Sequence, residues 1–498
     1  MNARSKPGDI AWSDARREYS WREFSEEVNA NANALIGLGL GKGDVVAMLA
    51  DSSYWTWHMA FGAIRAGGVI APLNTMLHPT VVASTLTKSG ASHLLVSARF
   101  FELAEAALAL LPDGERPSVV TAEGDLPGSI DFREERRMAS TAPPSVVLEG
   151  TDGFTVVYSS GTTGVPKGIL HTHAARLAMA ASYASAYEFE PWTRLYLTTP
   201  PHTNGSWMVV LPAIYVGARS HLAEGFDVDR FLSDVESYRP TVSFIVPTIG
   251  ARLLKHPGVT EVDWSCFKFI LTAGAPMPPE MKQRLRELSD DALGEVWGFT
   301  EGVSSVMHPR QMGGRLDSVG RAMPGCEFRV VDDHGQELGP GEIGELVGRS
   351  NFMLSEYHNE PAATQALIWH GPDGSVYLRT GDLGQIDDDG WIYVRGRKKD
   401  MIISGGLNIY PIDIEEILRQ EPAVEECAVV GVPHPDWGET PVAFVVPAPG
   451  VDLVTEDLRA TANGRLGRHQ RISEIRVIDE LPRNTLGKVM KHRLVESY

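Results

Sequence analysis

Cysteine is scarce in this sequence. The 498 residues include three cysteines, Cys266, Cys326 and Cys427, which lie far apart along the chain. Their spacing fits neither a disulfide framework nor a zinc site. We therefore expect a protein that works in a reducing compartment.

The sequence also lacks a long apolar run and an excess of positive charge. No stretch approaches the roughly 20 apolar residues of a membrane-spanning helix, and Met1–Ser13 contains no signal-peptide core. The net charge of −19 argues against nonspecific binding to nucleic acid or to anionic membranes. The segment Gly464–Arg493 is locally basic, which suits either a solvated helix face or contact with a polyanionic small molecule. We expect a cytoplasmic enzyme.

Length and patterning predict an α/β protein with several domains. A chain of 498 residues exceeds one hydrophobic core. Strand–helix–strand units begin at Asp44 and recur as far as the strand that starts at Phe267, which predicts parallel sheets. From about Arg321, short alternating strands between Gly, Asp and Pro turns predict an antiparallel sheet or barrel. From about Lys399 a compact pattern of strands and helices predicts a small separate α+β domain.

One glycine-rich stretch stands out, Tyr158–Gly168. It combines Ser and Thr hydroxyls with three glycines and Lys167 after an apolar strand pattern, and an Ala-rich helical pattern follows it. Small residues let a backbone close around an anion, while hydroxyls, N–H groups and a lysine bind it. The order differs from G-x-x-x-x-G-K-[ST], because Pro166 precedes the lysine and Gly168 follows it. We predict a phosphate-binding loop between a strand and a helix.

Further short motifs follow this loop in a fixed order. Taken singly, each has an ordinary structural explanation, such as a helix cap, a turn or a surface lysine. The motifs are Gly274-Ala275-Pro276, Trp297-Gly298-Phe299-Thr300-Glu301, Arg379-Thr380-Gly381-Asp382, Gly396-Arg397-Lys398-Lys399-Asp400 and Pro482-Arg483-Asn484-Thr485-Leu486-Gly487-Lys488.

Together the motifs resemble those of the adenylate-forming superfamily, which includes acyl-CoA synthetases, peptide-synthetase adenylation domains and luciferases. The resemblance covers essentially the whole chain and is greatest to free-standing acyl-CoA ligases. It implies a large AMP-binding domain of stacked α/β subdomains with a barrel-like subdomain (residues 1–397) and a mobile lid domain (residues 398–498). It also implies an activity in which a carboxylic acid and ATP give an acyl-adenylate and pyrophosphate. A thiol then takes the acyl group and AMP leaves.

The resemblance assigns a role to each motif. The residues expected to bind ATP or AMP are Ser159, Ser160, Gly161, Thr162, Thr163, Gly164, Lys167, Gly274, Ala275, Pro276, Trp297, Gly298, Thr300, Asp382 and Arg397. Trp297 would stack on the adenine, where the superfamily more often has tyrosine. Glu301 would bind Mg²⁺ through its carboxylate. The residues expected at the reacting centre are Lys488, Thr300, Glu301 and His202.

The small domain is expected to serve the two half-reactions in turn. Lys488 would bridge the substrate carboxylate and the α-phosphate during adenylation, a reach that suits a flexible lysine. Rotation about Lys399 would then remove Lys488 and bring Ser404, Gly405 and Gly406 to the site, where the glycines leave room for CoA. CoA is favoured as the thiol, because the run after Ser404 resembles that of CoA ligases and no carrier domain follows Tyr498.

The acid substrate is only partly defined. Amino-acid-activating relatives place an aspartate in the segment that corresponds to Pro201–Trp207, and this segment holds no acid. We therefore expect a carboxylic acid without an α-ammonium group, in an apolar pocket that includes His202, Val246, Thr248 and Val303. Fatty, aryl and cyclic acids are not distinguished.

Other functions stay open at this point. A ligase that loads a carrier protein, a luciferase and a non-catalytic nucleotide-binding relative share most of these motifs, and a homodimer is also left open. Two departures from the superfamily pattern are Glu356-Tyr357-His358-Asn359 and a long Gly371–Tyr377 segment. We expect both to lie away from the chemistry.

Overall fold

The computed structural model describes residues 1–121, 126–159, 167–223, 225–483 and 488–498, and within them the strands form four sheets. Two large sheets, mostly parallel, are built from the first 322 residues and one later edge strand at Glu356–Tyr357. A small antiparallel sheet follows them, and the fourth sheet belongs to the C-terminal domain. This arrangement confirms the predicted fold class.

The first large sheet is parallel over its central strands and becomes antiparallel at both ends. In spatial order its strands are β16 (Arg321–Ala322), β15 (Val303–Met307), β14 (Leu293–Phe299), β13 (Phe269–Thr272), β12 (Val242–Ile245), β10 (Arg194–Leu197), β11 (Arg219–Leu222), β1 (Ile10–Ser13) and β2 (Glu18–Ser20).

The second large sheet has parallel strands from β4 to β7 and an antiparallel end. Its order is β19 (Glu356–Tyr357), β9 (Lys167–Thr172), β8 (Gly153–Ser159), β4 (Val69–Pro72), β3 (Val45–Leu49), β5 (His93–Val96), β6 (Ser118–Thr121) and β7 (Ile130–Asp131). The Gly114–Gly150 region, expected to be a connection, thus supplies the last two short strands at one end of this sheet and a helix.

Helices cover both large sheets. They are α1 (Asn2–Ser5), α2 (Trp21–Gly37), α3 (Tyr54–Arg65), α4 (Pro79–Ser89), α5 (Phe101–Leu108), α6 (Phe132–Met138), α7 (His173–Ala186), α8 (Asn204–Val216), α9 (Val228–Tyr238), α10 (Pro247–Lys255), α11 (Pro279–Leu288), α12 (Pro309–Met312) and α13 (Pro361–Leu367). Helix α2 begins at a capping box, in which the Ser20 side chain accepts from the Glu23 N–H and the Glu23 carboxylate accepts from the Ser20 N–H. None of the helices described is long and apolar enough to cross a lipid bilayer.

The main core lies between the two large sheets. Helices α2, α3, α7 and α8 fill this space, and their apolar faces meet side chains from both sheets in one hydrophobic cluster. Trp57 of α3 and Trp207 of α8 are completely buried there, with ring centroids 5.1 Å apart. Burial of such large side chains is the main term that holds the sheets together.

The barrel-like subdomain follows the large sheets in sequence. Its antiparallel strands are β17 (Cys326–Val331), β18 (Gly344–Ser350), β21 (Val376–Ile386), β20 (Ile368–His370) and β22 (Ile392–Arg397). Strand β22 ends at Arg397 and leads through a short turn, Lys398–Asp400, into the C-terminal domain. The turn contains the predicted hinge, Lys399, whose role as a pivot stays a prediction.

The C-terminal domain packs helices against both faces of its sheet. The strands are β24 (Leu407–Ile409), β23 (Ile402–Ser404), β26 (Gly438–Pro447), β25 (Val424–His434) and β27 (Glu474–Val477), and the helices are α14 (Pro411–Arg419), α15 (Thr455–Arg465) and α16 (Lys491–Glu496). The apolar faces of α14 and α15 bury a separate core against β25 and β26. The domain therefore has its own hydrophobic interior.

One local prediction is wrong. The glycine-rich loop was expected between a strand and a helix, but Lys167–Thr172 forms strand β9 and pairs antiparallel with β8. Ser159 pairs with Lys167, so the loop closes a hairpin. The Ala-rich helical pattern begins only at His173, after one strand of six residues.

A buried carboxylate connects the elements of the C-terminal domain. Glu415 of α14 accepts hydrogen bonds from the Lys491 ammonium (2.7 Å) and the Val429 N–H (2.9 Å), and Arg419 lies 3.0 Å away. Burial would raise the pKa of Glu415, but Lys491 and Arg419 outweigh it and hold the pKa below its ordinary value. Lys491 follows Lys488 by three residues, so Glu415 anchors the segment that carries the predicted catalytic lysine.

We predict that Glu415→Gln destabilises the C-terminal domain by about 3 kcal/mol at neutral pH, because it removes the buried carboxylate of the network and leaves the half-buried Lys491 ammonium without its anion. Amide hydrogen exchange of α16 measures this loss. A carboxylate with a lowered pKa stabilises the fold above its unfolded pKa, and that contribution is lost as the pH falls through the folded value. The difference between variant and wild type should therefore disappear in acid.

The matched control is Glu421→Gln, which removes a more exposed pair with Arg465 (3.3 Å) in the same domain. Exposed pairs contribute less than about 1 kcal/mol, so this control should change exchange little. Equal effects of the two substitutions would contradict the anchoring role of Glu415.

Candidate functional site

The candidate site lies along one edge of the first large sheet. Strands β10, β12, β13 and β14 run parallel, so the segments that follow them meet at the same edge. His202 follows β10, Val246 follows β12, Gly274 follows β13 and Thr300 follows β14. Motifs far apart in sequence are brought together in this way.

The turn between β14 and β15 needs glycine at two positions. A Cβ at Gly298 would overlap the Val303 carbonyl across the hairpin, and one at Gly302 would overlap the Phe352 carbonyl. Gly302 also has a φ of 107°, which disfavours other residues. These glycines fix the backbone that presents Thr300 and Glu301, both half-buried.

Asp382 is held by two partners. Arg397 Nε lies 2.8 Å from one carboxylate oxygen, and the indole Nε1 of Trp297 donates to the other at 3.2 Å. Burial raises the pKa of Asp382, while Arg397 and Lys488 act in the opposite direction. Trp297 also contacts Phe328, with ring centroids 5.5 Å apart. The contact with adenine expected for Trp297 stays a prediction, and the indole has a second role as a donor to Asp382.

Glu301 lies in a second charged cluster. Its Oε1 accepts a hydrogen bond from the Tyr357 hydroxyl at 2.6 Å, and the Lys167 ammonium lies 4.7 Å from the centre of the Tyr357 ring. Burial raises the pKa of Glu301, against the Tyr357 hydrogen bond and the charges of Arg397 and Lys167. Arg397 acts on both acids, so the two clusters adjoin.

Lys488 reaches this site from the C-terminal domain. Arg483 and Val489 form a β-bridge, and the Met490 N–H donates to the Pro482 carbonyl at 2.7 Å. Desolvation in the cleft and the nearby Arg397 lower the pKa of the Lys488 ammonium, whereas Asp382 and Asp400 raise it. Part of the side chain stays accessible to solvent. The domains are therefore oriented with Lys488 beside Asp382 and Arg397.

The glycine-rich loop lies mostly outside the described residues. This applies to the predicted phosphate ligands Ser160, Gly161, Thr162, Thr163 and Gly164, and to the side chain of Ser159. Lys167, at the start of β9, is described and lies beside Tyr357 and Glu301.

His202 is buried and electrically neutral. Burial lowers its pKa to about 4, and its Nδ1 has no hydrogen-bond partner in the part of the chain that the structure describes. A neutral imidazole cannot supply positive charge at neutral pH. It can line a pocket and exchange one hydrogen bond with a bound group.

The other predicted pocket residues differ from one another. Val246 is half-buried at the start of α10 and Thr248 is exposed, so both have surface to offer a ligand. Val303 is completely buried and packs with Ile169 and Tyr357, so its assignment to the pocket wall is wrong. Its position next to an exposed motif was a misleading signal, since alternate residues of a strand face opposite sides.

The adenine motif is open to a ligand. Gly274, with a φ of 92°, and Pro276 are exposed, and Ala275 is half-buried between them. Apart from the two chain neighbours of Gly274, no atom of the described residues lies within 4 Å of a Cβ built there. Their contact with adenine stays a prediction.

The predicted CoA motif forms a tight turn between β23 and β24. Gly405 and Gly406 have φ values of 58° and 79°, and the Gly405 N–H donates to the Trp437 carbonyl at 2.8 Å. The Trp437 ring lies against Gly405 and is 56% exposed. The sequence interpretation missed Trp437, and an exposed tryptophan beside two glycines is a signal for a binding surface.

The hinge turn is anchored on its N-terminal side. The Lys398 ammonium lies 2.9 Å from Asp333 and 3.2 Å from Glu345, and Glu345 also pairs with Arg379 at 2.7 Å. Lys399 itself is exposed. The arrangement fixes Lys398 to the barrel-like subdomain and leaves Lys399 as the next residue in the chain.

The expectation that Glu356–Asn359 lies away from the chemistry is wrong. Tyr357 contacts both Glu301 and Lys167. The segment is held by β19 pairing with β9 and by hydrogen bonds from His358 and Asn359 to carbonyls at the end of α4. The order of the sequence motifs does not predict this contact, because the contact depends on the pairing of the two-residue strand β19 with β9.

The side chains of the site could bind a metal ion whose other ligands come from a bound nucleotide and water. Among the described residues no group of three or more His, Cys, Asp or Glu could hold a metal ion. Glu301 offers one buried carboxylate. Mg²⁺ in nucleotide sites usually binds one or two carboxylates and completes its shell with phosphate oxygens and water. The site therefore fits Mg²⁺ brought in with ATP.

Comparison with protein families agrees with this geometry. The model of the AMP-binding enzyme family matches residues 1–358, and that of the AMP-binding enzyme C-terminal domain matches residues 413–488. The first match contains Thr300 and Glu301 and the second ends at Lys488, whereas Asp382 and Arg397 lie between the two matched segments.

Individual relatives extend over nearly the whole chain. A long-chain-fatty-acid–CoA ligase from Mycobacterium tuberculosis is 32% identical over 98% of this chain and 94% of its own length. An indoleacetate–CoA ligase from Aromatoleum aromaticum is also 32% identical, with the same coverage. The ATP-bound crystal structure of MatB from Rhodopseudomonas palustris superposes with a TM-score of 0.91 at 29% identity, covering 100% of this chain and 98% of MatB.

We predict that Tyr357→Phe weakens binding of Mg²⁺–ATP about tenfold near pH 6 and less near pH 8. The lost hydrogen bond to a charged group is worth about 1.5 kcal/mol. The Tyr357 hydroxyl stabilises the ionised form of Glu301, so its removal raises the pKa of that carboxyl further and favours the protonated form as pH falls. Titration calorimetry at the two pH values measures the effect.

Tyr393→Phe is the control, since the Tyr393 hydroxyl bonds Asp387 (3.4 Å) on the barrel-like subdomain. This variant should bind Mg²⁺–ATP like the wild type. If Tyr357→Phe lost the same affinity at both pH values, Glu301 would not be the titrating ligand.

Proposed function

Since the chain belongs to the AMP-binding enzyme family, we propose that it is an ATP-dependent acyl-CoA ligase. The observation that carries the proposal is the position of Lys488, which lies in the cleft beside Asp382 and Arg397. A lysine delivered by one domain to a nucleotide site on the other suits a reaction between two anions. Two relatives that match 98% of this chain are named as CoA ligases, which supports CoA as the acceptor of the acyl group.

The first half-reaction would join the acid to AMP. A carboxylate oxygen attacks the α-phosphorus of ATP, the bond to the β-phosphate breaks, and pyrophosphate leaves. Lys488 would neutralise the carboxylate and the α-phosphate as they approach, and Thr300 would donate to the α-phosphate. Asp382 would accept hydrogen bonds from the ribose hydroxyls, held in place by Arg397 and Trp297. Bound Mg²⁺, with Glu301 as its protein ligand, supplies further positive charge at the phosphates.

The Lys488 ammonium lies near the positive charges of Arg397 and Lys399, which suits an anionic ligand. The pKa of Lys488 is lowered by desolvation and by Arg397. A bound phosphate and carboxylate would relieve that repulsion and favour the charged ammonium. The binding of the two substrates would therefore be coupled through this side chain.

The second half-reaction would transfer the acyl group to CoA. The thiol sulfur attacks the carbonyl carbon of the acyl-adenylate, the bond to the phosphate oxygen breaks, and AMP leaves while the thiol proton is released. In the observed orientation Lys488 interacts with the charges of Asp382 and Arg397. The Ser404–Gly406 turn, with the exposed Trp437 beside it, would have to replace Lys488 through rotation about Lys399.

Several finer assignments remain proposals. The acyl group would occupy the region of His202, Val246 and Thr248, and fatty and aryl acids both suit its apolar surroundings. A carrier-protein thiol in place of CoA, a homodimer and a cytoplasmic location rest on sequence reasoning alone. A non-catalytic relative is disfavoured, because Lys167, Glu301 and Lys488 are all present.

The activity is tested with a panel of carboxylic acids, ATP, Mg²⁺ and CoA, read by mass spectrometry. We expect acyl-CoA, AMP and pyrophosphate in equal amounts for a subset of the acids. A panel with phosphopantetheinylated carrier protein in place of CoA serves as the comparison for the acceptor. The ligase proposal would be overturned if the folded protein released pyrophosphate with none of the acids in the panel.

We predict that Lys399→Pro slows thioester formation at least tenfold and adenylation much less. Proline fixes φ at the hinge and restricts the preceding residue, so it opposes the rotation. Lys399→Ala, which removes the side chain but keeps the backbone free, should retain both steps. Single-turnover formation and decay of the acyl-adenylate separates them, and a normal decay rate in the proline variant would contradict rotation at this residue.

A further inference from the structure

Arg176 is a fully buried cation that the proposed reaction does not use. It lies on α7 with 1% of its surface exposed, and no carboxylate pairs with it in the described parts of the chain. Burial lowers the pKa of its guanidinium to about 9, which leaves it charged at neutral pH. An arginine buried without a carboxylate is costly, so its neutral partners call for an explanation.

Arg176 joins two elements of the site. Its Nε and one terminal nitrogen donate to Thr155 Oγ1 at 2.9 and 2.7 Å, and the other terminal nitrogen donates to Asn204 Oδ1 at 2.9 Å. Thr155 lies on β8, the strand that leads into the glycine-rich loop. Asn204 is the first residue of α8, two residues after His202. The guanidinium thus connects the phosphate side of the site to the acyl side.

This contact fixes the orientation of the Asn204 amide. A guanidinium has hydrogen-bond donors and no acceptor, so the Asn204 atom that faces it must be the oxygen. The amide nitrogen, with two N–H donors, therefore points away from Arg176. Asn204 is half-buried, and its Nδ2 has no partner among the residues described. A cation behind the carbonyl also strengthens the amide as a donor.

The free donors lie in the expected acyl region. His202, with its unpartnered Nδ1, is two residues away. Thr155, the other partner of Arg176, is paired across the hairpin with His171, and the His171 ring is within hydrogen-bonding reach of the Thr300 backbone. Gly205 packs so closely on Phe244 that a Cβ there would overlap the ring. Asn204 follows β10 and Thr300 follows β14, so both lie at the same edge of the first large sheet, and Asn204 is next in the chain to the Gly205 contact with Phe244.

We propose that Asn204, oriented by Arg176, is a specificity-determining residue that donates a hydrogen bond to an acceptor oxygen on the acyl part of the acid. The inference rests on the proposed ligase function and narrows its substrate class. It favours acids with a keto or similar carbonyl oxygen over hydrocarbon acids of the same shape. A hydrocarbon acid would cover the polarised amide without giving it a partner, which a site built on a donor disfavours.

The test uses matched acids that differ by one carbonyl group. One series is fatty acids with an oxo group moved along the chain, and another is acetyl-substituted benzoic acids, each compared with its methylene analogue. For the wild type we expect at least one oxo acid to exceed its analogue about tenfold in kcat/KM, measured as pyrophosphate release. In Asn204→Ala that ratio should fall to near one, while the KM for ATP stays unchanged.

A second variant guards against poor folding of Asn204→Ala. Asn204→Asp places a carboxylate against Arg176, so the variant should fold and replace the wild-type hydrogen bond with a salt bridge in the same place. It should still lose the preference for oxo acids, because carboxylate oxygens only accept hydrogen bonds. Asn33→Ala removes an exposed asparagine that bonds the Ser140 carbonyl at 2.7 Å far from the site, and should keep the wild-type ratio.

The outcomes separate this inference from the function on which it rests. If no acid supports pyrophosphate release, the ligase proposal fails. If acids react but the wild type never prefers an oxo acid, or if both Asn204 variants lower both members of a pair equally, the assignment of Asn204 is overturned.

Discussion

The ion pair between Asp382 and Arg397 is the contact on which the site depends. The two residues are register partners on β21 and β22, and Arg397 is the last residue of its strand before the hinge turn. Trp297 adds a hydrogen bond from the first large sheet, and Lys488 approaches from the C-terminal domain. One carboxylate therefore joins the sheet, the barrel-like subdomain and the lid. A change in the position of the lid must change the charge that Asp382 experiences.

Three ionisable groups of the site have shifted pKa values. Burial raises the pKa of both Asp382 and Glu301, and desolvation lowers that of Lys488. Each shift opposes the charged form of its group. Bound phosphates, a metal ion and a carboxylate would favour the charged forms. The hydrogen-bonded partners Trp297 and Tyr357 keep the acids oriented until those ligands arrive.

Contacts between the domains are compatible with a change of orientation. Lys255 of α10 lies 3.2 Å from Glu425 of β25, and both side chains are well exposed. Such a pair contributes little to stability, so it can break at low cost. Less exposed contacts lie within the C-terminal domain, where Lys491 donates to Glu415, and beside the predicted hinge, where Lys398 pairs with Asp333. This distribution favours motion of whole domains about one short connection.

The sequence predicted the architecture and most charged residues of the site, but not the contacts between distant segments. The order of short motifs singled out Lys167, Glu301, Asp382, Arg397 and Lys488, and in the structure the charges of these residues interact. The hairpin around the glycine-rich loop was missed, since six residues of strand precede a much longer Ala-rich helix. Tyr357 and the Arg176–Asn204 contact depend on which strands pair and which helices pack together. The pairing of strands and the packing of helices that are distant in sequence cannot be predicted from the local pattern of a single sequence.

The residue whose role matters most is Lys488. Our proposal is that Lys488, which approaches Asp382 and Arg397, acts in adenylation and leaves before the thiol attacks. The direct measurement compares the wild type with Lys488→Ala in two assays, acid-dependent exchange of pyrophosphate into ATP and thioester formation from a supplied acyl-adenylate. The account predicts that exchange falls about a hundredfold while thioester formation stays within a few-fold of the wild type. Equal losses in the two assays, or exchange at the wild-type rate, would contradict it.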